Sequence, residues 1–135
     1  MEENGSIEQG LIYLVACSGA CSNFGQLSAR VMSRLGKEKY GKPFCLAGLG
    51  AHLPRFIERG KQGSFIVIDG CPQQCALKTV EHAGMKSVKS IVIAQLGVEK
   101  KTGSFEISPE EVERVFEQVR RLLNEEADLH SLSEA

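Results

Sequence analysis

The chain has 135 residues, of which 42% are hydrophobic and 24% are charged, as in a globular protein with a single core. The net charge of -1 argues against nucleic acid as a partner. No apolar run approaches the ~20 residues of a membrane span, and the acidic start of the chain is unlike a secretory signal. We therefore expect a cytoplasmic protein with no membrane partner, in a compartment that keeps thiols reduced.

The first half of the chain predicts two strands and two helices. Residues 11–16 form an apolar run that is typical of a strand buried on both faces. Residues 24–35 carry apolar side chains at a helical period, and a glycine then ends the helix. Residues 43–47 predict a weaker second strand, and residues 53–59 predict a short helix.

The second half of the chain continues the alternation of strands and helices. Residues 64–69 form the clearest strand. Pro72 is suited to be the first residue of a helix that runs to about residue 82, and residues 91–94 predict a fourth strand. After a polar loop, Ser108 and Glu111 form the capping box of a final amphipathic helix.

This order of elements implies parallel βαβ units with right-handed crossovers. We therefore predict an α/β fold of the Rossmann or flavodoxin-like kind, with a parallel sheet of about four strands in the order 2-1-3-4 flanked by helices. Residues 1–10 are expected to be a flexible N-terminus. Residues 11–126 are expected to form a single α/β domain, and residues 127–135 a flexible C-terminal tail.

Five cysteines lie at or just after the ends of predicted strands. Their odd number excludes a disulfide framework that uses all of them, which leaves metal binding, redox chemistry or burial as small apolar residues. The carboxyl ends of parallel strands share one edge of a sheet, where ligands bind in such folds. We therefore expect neighbouring loops to carry the five residues, which are Cys17, Cys21, Cys45, Cys71 and Cys75.

The spacing of these cysteines favours a metal site. Cys71 and Cys75 are four residues apart and would share one face of a helix, and Cys17 and Cys21 would face them from the adjacent loop. Four thiolates suit tetrahedral Zn²⁺, and an iron–sulfur cluster takes the same ligands. Cys45 best fits burial as an inert residue, but it could replace Cys21 as the fourth ligand. The domain is therefore predicted to bind metal, with Zn²⁺ ahead of an iron–sulfur cluster and a redox-active thiol pair as a further alternative.

The motifs around the cysteines resemble those of the DGC-domain family. The segment Ile68-Asp69-Gly70-Cys71-Pro72 resembles the motif that names the family, Cys17-Ser18-Gly19 is similar to its first motif, and Cys45-Leu46-Ala47-Gly48 is similar to its second. The family is described as zinc-binding, and no reaction is attached to it. The resemblance implies zinc ligation by Cys17, Cys45, Cys71 and Cys75.

Three further side chains near this edge have two interpretations each. Asp69 could orient a metal ligand or act as a base, but a turn-capping role with backbone hydrogen bonds is favoured. His52 could be a metal ligand, and an exposed loop histidine is slightly favoured. His82 follows Cys75 by roughly 10 Å along the predicted helix, so a surface or packing role is favoured for it.

Three functions remain open from the sequence. The first is a protein that stores, delivers, senses or structurally uses Zn²⁺. The second is an enzyme, either metal-dependent or a thiol redox catalyst, and the third is an iron–sulfur electron-transfer module. The sequence indicates the metal ion as a partner and identifies no reaction, substrate or protein partner. The fourth metal ligand stays open between Cys21 and Cys45.

Overall fold

The computed structural model describes residues 11–101 and 106–134, so the predicted N-terminal segment 1–10 lies outside the described residues. Within them, four parallel strands form one sheet in the order β2-β1-β3-β4. The predicted α/β fold and its strand order are confirmed. The strands are β1 Ile12–Ala16, β2 Lys42–Pro43, β3 Ser64–Asp69 and β4 Ser87–Val92.

Helices cover both faces of this sheet, as parallel crossovers require. The helices are α1 Asn23–Lys37, α2 Leu46–Gly50, α3 Pro54–Gly60, α4 Cys75–His82 and α5 Pro109–Glu134.

Side-chain alternation along the central strands divides the core into two layers. Leu14 and Ile68 face the layer of α1 and α5, whereas Val15 and Val67 face the layer of α2 and α4. All four side chains are fully buried. Apolar burial on both faces of β1 and β3 supplies the main stabilising free energy of the domain. None of the helices in the described part of the chain is both long and apolar enough to cross a membrane.

The second strand is shorter than predicted. It ends at Pro43, and the Phe44 N–H still donates to the carbonyl of Leu14 at 2.8 Å. Cys45 is then the N-cap of α2, with its sulfur accepting the N–H of Gly48 at 3.3 Å. The prediction of a strand through residue 47 is wrong because this local cap begins a helix at Leu46.

Helix α4 begins three residues later than predicted. Pro72 lies in a turn, in which the Gln74 N–H donates to the carbonyl of Cys71 at 3.1 Å. Gln74 has φ 55° and ψ 50°, a left-handed conformation that a helix cannot continue through. Cys71 therefore precedes the helix that Cys75 begins, and the prediction that both lie on one helical face is wrong.

The edge strand and the last helix also differ from prediction in their bounds. β4 spans Ser87–Val92 rather than residues 91–94, and a 3₁₀ turn follows over Ile93–Leu96. β4 is at the edge of the sheet, and Val88 in its first half is 49% exposed. The first half of this strand therefore lacks the continuous apolar run by which a buried strand is predicted. α5 is helical to Glu134, and the domain boundary predicted at residue 126 stays a prediction.

The start of α5 confirms the predicted N-cap, because the Glu111 N–H donates to the Ser108 hydroxyl oxygen at 3.1 Å. Replacing Ser108 by Ala removes the acceptor for this N–H and should lower the free energy of unfolding by about 1 kcal/mol. Ser108→Asp retains an acceptor and should match the wild type. Urea denaturation of the three chains measures the difference. Equal stability of Ser108→Ala and wild type would contradict the assigned cap.

Candidate functional site

The loops after β1 and β3 leave the sheet side by side, and they carry Cys17 and Cys71. The Cys17 N–H donates to the carbonyl of Ile68 at 3.0 Å, which extends the pairing of β1 and β3 by one residue. Cys71 follows two residues after β3, and Cys75 is the first residue of α4. The predicted grouping of these loops at one edge of the sheet is therefore present.

Close backbone packing shapes the loop after β1. A Cβ atom added at Gly25 would overlap the carbonyl oxygen of Gly19, so the loop folds directly onto the first turn of α1. The buried Ser28 hydroxyl bridges the carbonyls of Cys17 and Gly25, the latter at 2.9 Å. A Cβ atom at Gly70 would lie 2.6 Å from the carbonyl oxygen of Phe24. Glycines thus bring the two cysteine loops and α1 into contact.

Asn23 connects this region to the segment after the 3₁₀ turn. Its side chain donates to the carbonyl of Glu99 at 2.8 Å and accepts the N–H of Lys101 at 2.6 Å. The Asn23 N–H also donates to the carbonyl of Lys101 at 3.1 Å, and the residue is 1% exposed. No sequence pattern predicted this role of Asn23, whose position next to the N-cap Ser22 is the only local signal.

Asp69 caps α4 from the end of the central strand. Its two carboxylate oxygens accept the N–H groups of Ala76 at 2.7 Å and Leu77 at 3.0 Å. Burial raises the pKa of Asp69, while these two hydrogen bonds and the charge of Lys78 lower it, and the net direction is upward. The favoured interpretation of Asp69 as a backbone cap is confirmed. The cap determines where Cys75 lies relative to β3.

Three thiols lie within range of one another's charge. Burial raises the pKa of the Cys17 thiol, a backbone hydrogen bond from Gly19 lowers it, and the charges of Asp69, Cys75 and Cys71 raise it further. Cys17 and Cys71 are half-buried and Cys75 is exposed. The charges of Asp69, Cys71 and Cys75 therefore oppose the ionisation of Cys17; we call Cys17, Cys71 and Cys75 the thiol cluster.

The thiols of this cluster approach the sheet edge from different sides. Cys17 packs against the layer of α2 and α4, and Cys71 packs against the layer of α1 and α5. Among the residues that the structure describes, no three His, Cys, Asp or Glu side chains are placed to hold one metal ion. The donor chemistry fits zinc, whereas the closed four-sulfur arrangement expected from the sequence is absent from these residues.

The two candidates for a fourth ligand have different surroundings. The sulfur of Cys45 accepts the Gly48 N–H at 3.3 Å, and the residue is exposed, so its favoured interpretation as a buried inert residue is wrong. Cys21 is exposed in the loop after β1. Cys21 follows β1, which is adjacent to β3, and Cys45 follows β2, which is on the other side of β1.

His52 and His82 form a pair that the sequence did not predict. His52 Nε2 and His82 Nδ1 are 3.2 Å apart, and both residues are exposed. The exposed position favoured for His52 is confirmed, and of the surface and packing roles open to His82 the structure shows the surface one. The sequence placed His52 with the cysteines and His82 apart from them, whereas the structure places the two rings together.

Comparison with known proteins places the chain among relatives that carry the same domain. The DGC domain profile matches residues 13–119, a range that includes all five cysteines. The chain is 30% identical over 114 residues to the anaerobic and virulence modulator AnvM of Pseudomonas aeruginosa, which covers 84% of each protein. No solved structure gives a significant match.

The close contact between Gly25 and Gly19 predicts that adding one methyl group at residue 25 lowers the stability of the domain. Gly25→Ala should lower the free energy of unfolding by about 1–3 kcal/mol, because the Cβ atom cannot fit against the Gly19 carbonyl without a backbone shift. Gly19→Ala is the matched control, since its Cβ atom would meet only the Cys17 sulfur at 3.7 Å. Thermal and urea denaturation measure both variants. Equal effects of the two substitutions would contradict the close packing described here.

The Asp69 cap predicts a graded series of stabilities. Asp69→Ala leaves the N–H groups of Ala76 and Leu77 without their acceptors and should lower the free energy of unfolding by about 2–4 kcal/mol. Asp69→Asn keeps one acceptor oxygen and should fall between Asp69→Ala and the wild type. Urea denaturation gives the order, and amide hydrogen exchange at residues 76 and 77 reports the cap directly. Unchanged exchange at these amides in Asp69→Ala would contradict the assignment.

Proposed function

The chain belongs to the DGC domain family, and from that premise we propose that it binds a Zn²⁺ ion through the thiol cluster. Cys17, Cys71 and Cys75 supply three thiolates, and Cys45 or Cys21 supplies the fourth. The observation that supports this proposal most directly is that Cys71 and Cys75 lie close enough to Cys17 for their charges, after burial of the thiol, to raise its pKa.

The electrostatics of the cluster favour a divalent cation as its ligand. Like charges in one place oppose ionisation, so several neighbouring thiols are a poor arrangement for isolated thiolates. A Zn²⁺ ion reverses this effect, because it binds thiolates and displaces their protons. Zinc binding would therefore release protons and lower the charge density that Asp69 and the thiolates share.

The observed side-chain positions imply rearrangement on binding. Cys17 and Cys71 contact different layers of the core, so their sulfurs must turn toward the edge of the sheet to share an ion. Cys75 is exposed and meets no such restriction. If Cys45 is the fourth ligand, its sulfur must also give up the Gly48 N–H.

Thiol redox chemistry is the second candidate, and the exposure of Cys21, Cys45 and Cys75 favours it. In that reaction two thiols lose two protons and two electrons to a small-molecule disulfide, which is reduced to two thiols as one protein S–S bond forms. The relative's name, an anaerobic and virulence modulator, describes modulation and names no reaction. It therefore fits a sensing or binding role for this chain more closely than a particular catalytic one.

Elemental analysis of reduced, anaerobically purified protein tests the zinc proposal. The wild type should hold about one tightly bound Zn²⁺ per chain, and chelation should lower its Tm because the bound metal contributes to folding stability. Cys17→Ser, Cys71→Ser and Cys75→Ser should each weaken zinc affinity by more than about tenfold.

Cys21→Ser and Cys45→Ser form an internal control in this experiment. One of the two should retain wild-type affinity, and the other should behave like the cluster variants. Wild-type zinc affinity in Cys17→Ser and Cys71→Ser would contradict the proposal. Iron together with visible absorption would favour the iron–sulfur alternative, and metal-free protein that forms a reversible disulfide would favour the redox alternative.

A further inference from the structure

The pair His52 and His82 lies at the ends of two adjacent helices. His52 follows α2 by two residues with φ 55°, and His82 is the last residue of α4. The helices are in close contact, because a Cβ atom at Gly50 would lie 3.5 Å from the Thr79 methyl group. The two rings are thus held together by packed secondary structure rather than by a shared loop.

The backbone around His52 explains why its ring reaches α4. The His52 N–H donates to the carbonyl of Leu49 at 3.0 Å, and the Leu53 N–H donates to the carbonyl of Gly48 at 3.1 Å. These bonds close the C-terminal end of α2 around a left-handed residue, as at many helix ends. The ring centroids of His52 and His82 are then 5.2 Å apart, with an interplanar angle of 77°.

The distance between the ring nitrogens suits two ligands of one metal ion. His52 Nε2 and His82 Nδ1 are 3.2 Å apart. Two Zn–N bonds of about 2.0–2.1 Å place their nitrogens about 3.3 Å apart at a tetrahedral angle and about 2.9 Å apart at a right angle. In the hydrogen-bonded pair, one ring donates its N–H to the other nitrogen. A metal ion bound to both nitrogens would lie off the line that joins them, so the two rings would turn toward it and the donor ring would take its other tautomer.

The surroundings also favour a cation. Both helices end at this position, and the carbonyl groups at helix C-termini carry partial negative charge. Both residues are exposed, so water can complete the coordination of an ion that the protein holds through two nitrogens. Neutral imidazole suits zinc, copper and nickel among the divalent transition metals.

We propose that His52 and His82 form a second metal site, which takes a divalent transition-metal ion such as Ni²⁺, Cu²⁺ or Zn²⁺ with water in the remaining positions. Its two protein ligands are imidazole nitrogens, so it is chemically distinct from the thiol cluster. It goes beyond the proposed function and does not depend on it. His82 follows Cys75 by seven residues, roughly 10 Å along α4.

Titration of the full-length, reduced, untagged chain with Ni²⁺ tests the proposal. The probe is the line width of the histidine ring C–H signals in proton NMR, because bound Ni²⁺ is paramagnetic. Ni²⁺ added beyond the amount that the thiol cluster takes up should broaden the signals of His52 and His82 before that of His130, the third histidine. His82→Gln and His52→Asn should each weaken this binding by about tenfold or more, and asparagine is chosen because it tolerates the left-handed backbone.

Two controls separate this site from the thiol cluster. His130→Gln should leave the affinity unchanged. Cys71→Ser should also leave the broadening of His52 and His82 unchanged, and it should remove any sulfur-to-nickel charge-transfer absorption. Wild-type broadening of His52 in the His82→Gln chain would overturn the proposal, as would its loss in Cys71→Ser or simultaneous broadening of all three histidines. Unchanged circular dichroism in the variants confirms that they fold.

Discussion

A buried carboxylate at the end of the central strand determines the form of the candidate site. Asp69 accepts the N–H groups of Ala76 and Leu77, which would otherwise lack partners at the start of α4. The bonds set the distance between β3 and α4, and the five residues from Gly70 to Gln74 must form a turn within it. Cys71 and Cys75 take their positions from this turn. The shape of the loop between β3 and α4 therefore follows from the hydrogen bonds of one side chain.

The sequence predicted the parts of the fold that local patterns determine. The strand over residues 64–69 and the cap at Ser108 both agree with the structure, since apolar runs and capping boxes act over a few residues. The predicted strand order 2-1-3-4 is also confirmed, although the alternation of strands and helices indicates parallel units without determining their order. The start of α4 could not be read in the same way, because Pro72 is a good first helical residue locally while Asp69 caps the helix further on. Cys45 was misread for a similar reason, since its apolar neighbours suggested burial.

Contacts between distant positions were beyond what one sequence can indicate. Asn23 bonds to Glu99 and Lys101, and His52 meets His82 across 30 positions of sequence. The first contact depends on how a helix and a loop lie relative to each other, and the second depends on how two helix ends lie relative to each other. The cysteines were found because strand ends in a parallel sheet share an edge whatever the details of packing. Their side-chain directions were not, because those depend on how each turn leaves its strand.

The opposite packing of Cys17 and Cys71 has a consequence for the mechanics of the domain. One sulfur belongs to the layer of α2 and α4, and the other to the layer of α1 and α5, with the sheet between them. A ligand bound by both sulfurs would connect the two layers directly at the edge of the sheet. Binding or loss of such a ligand would change the rigidity of both helical layers together, so its effect would reach the surfaces on both sides of the sheet.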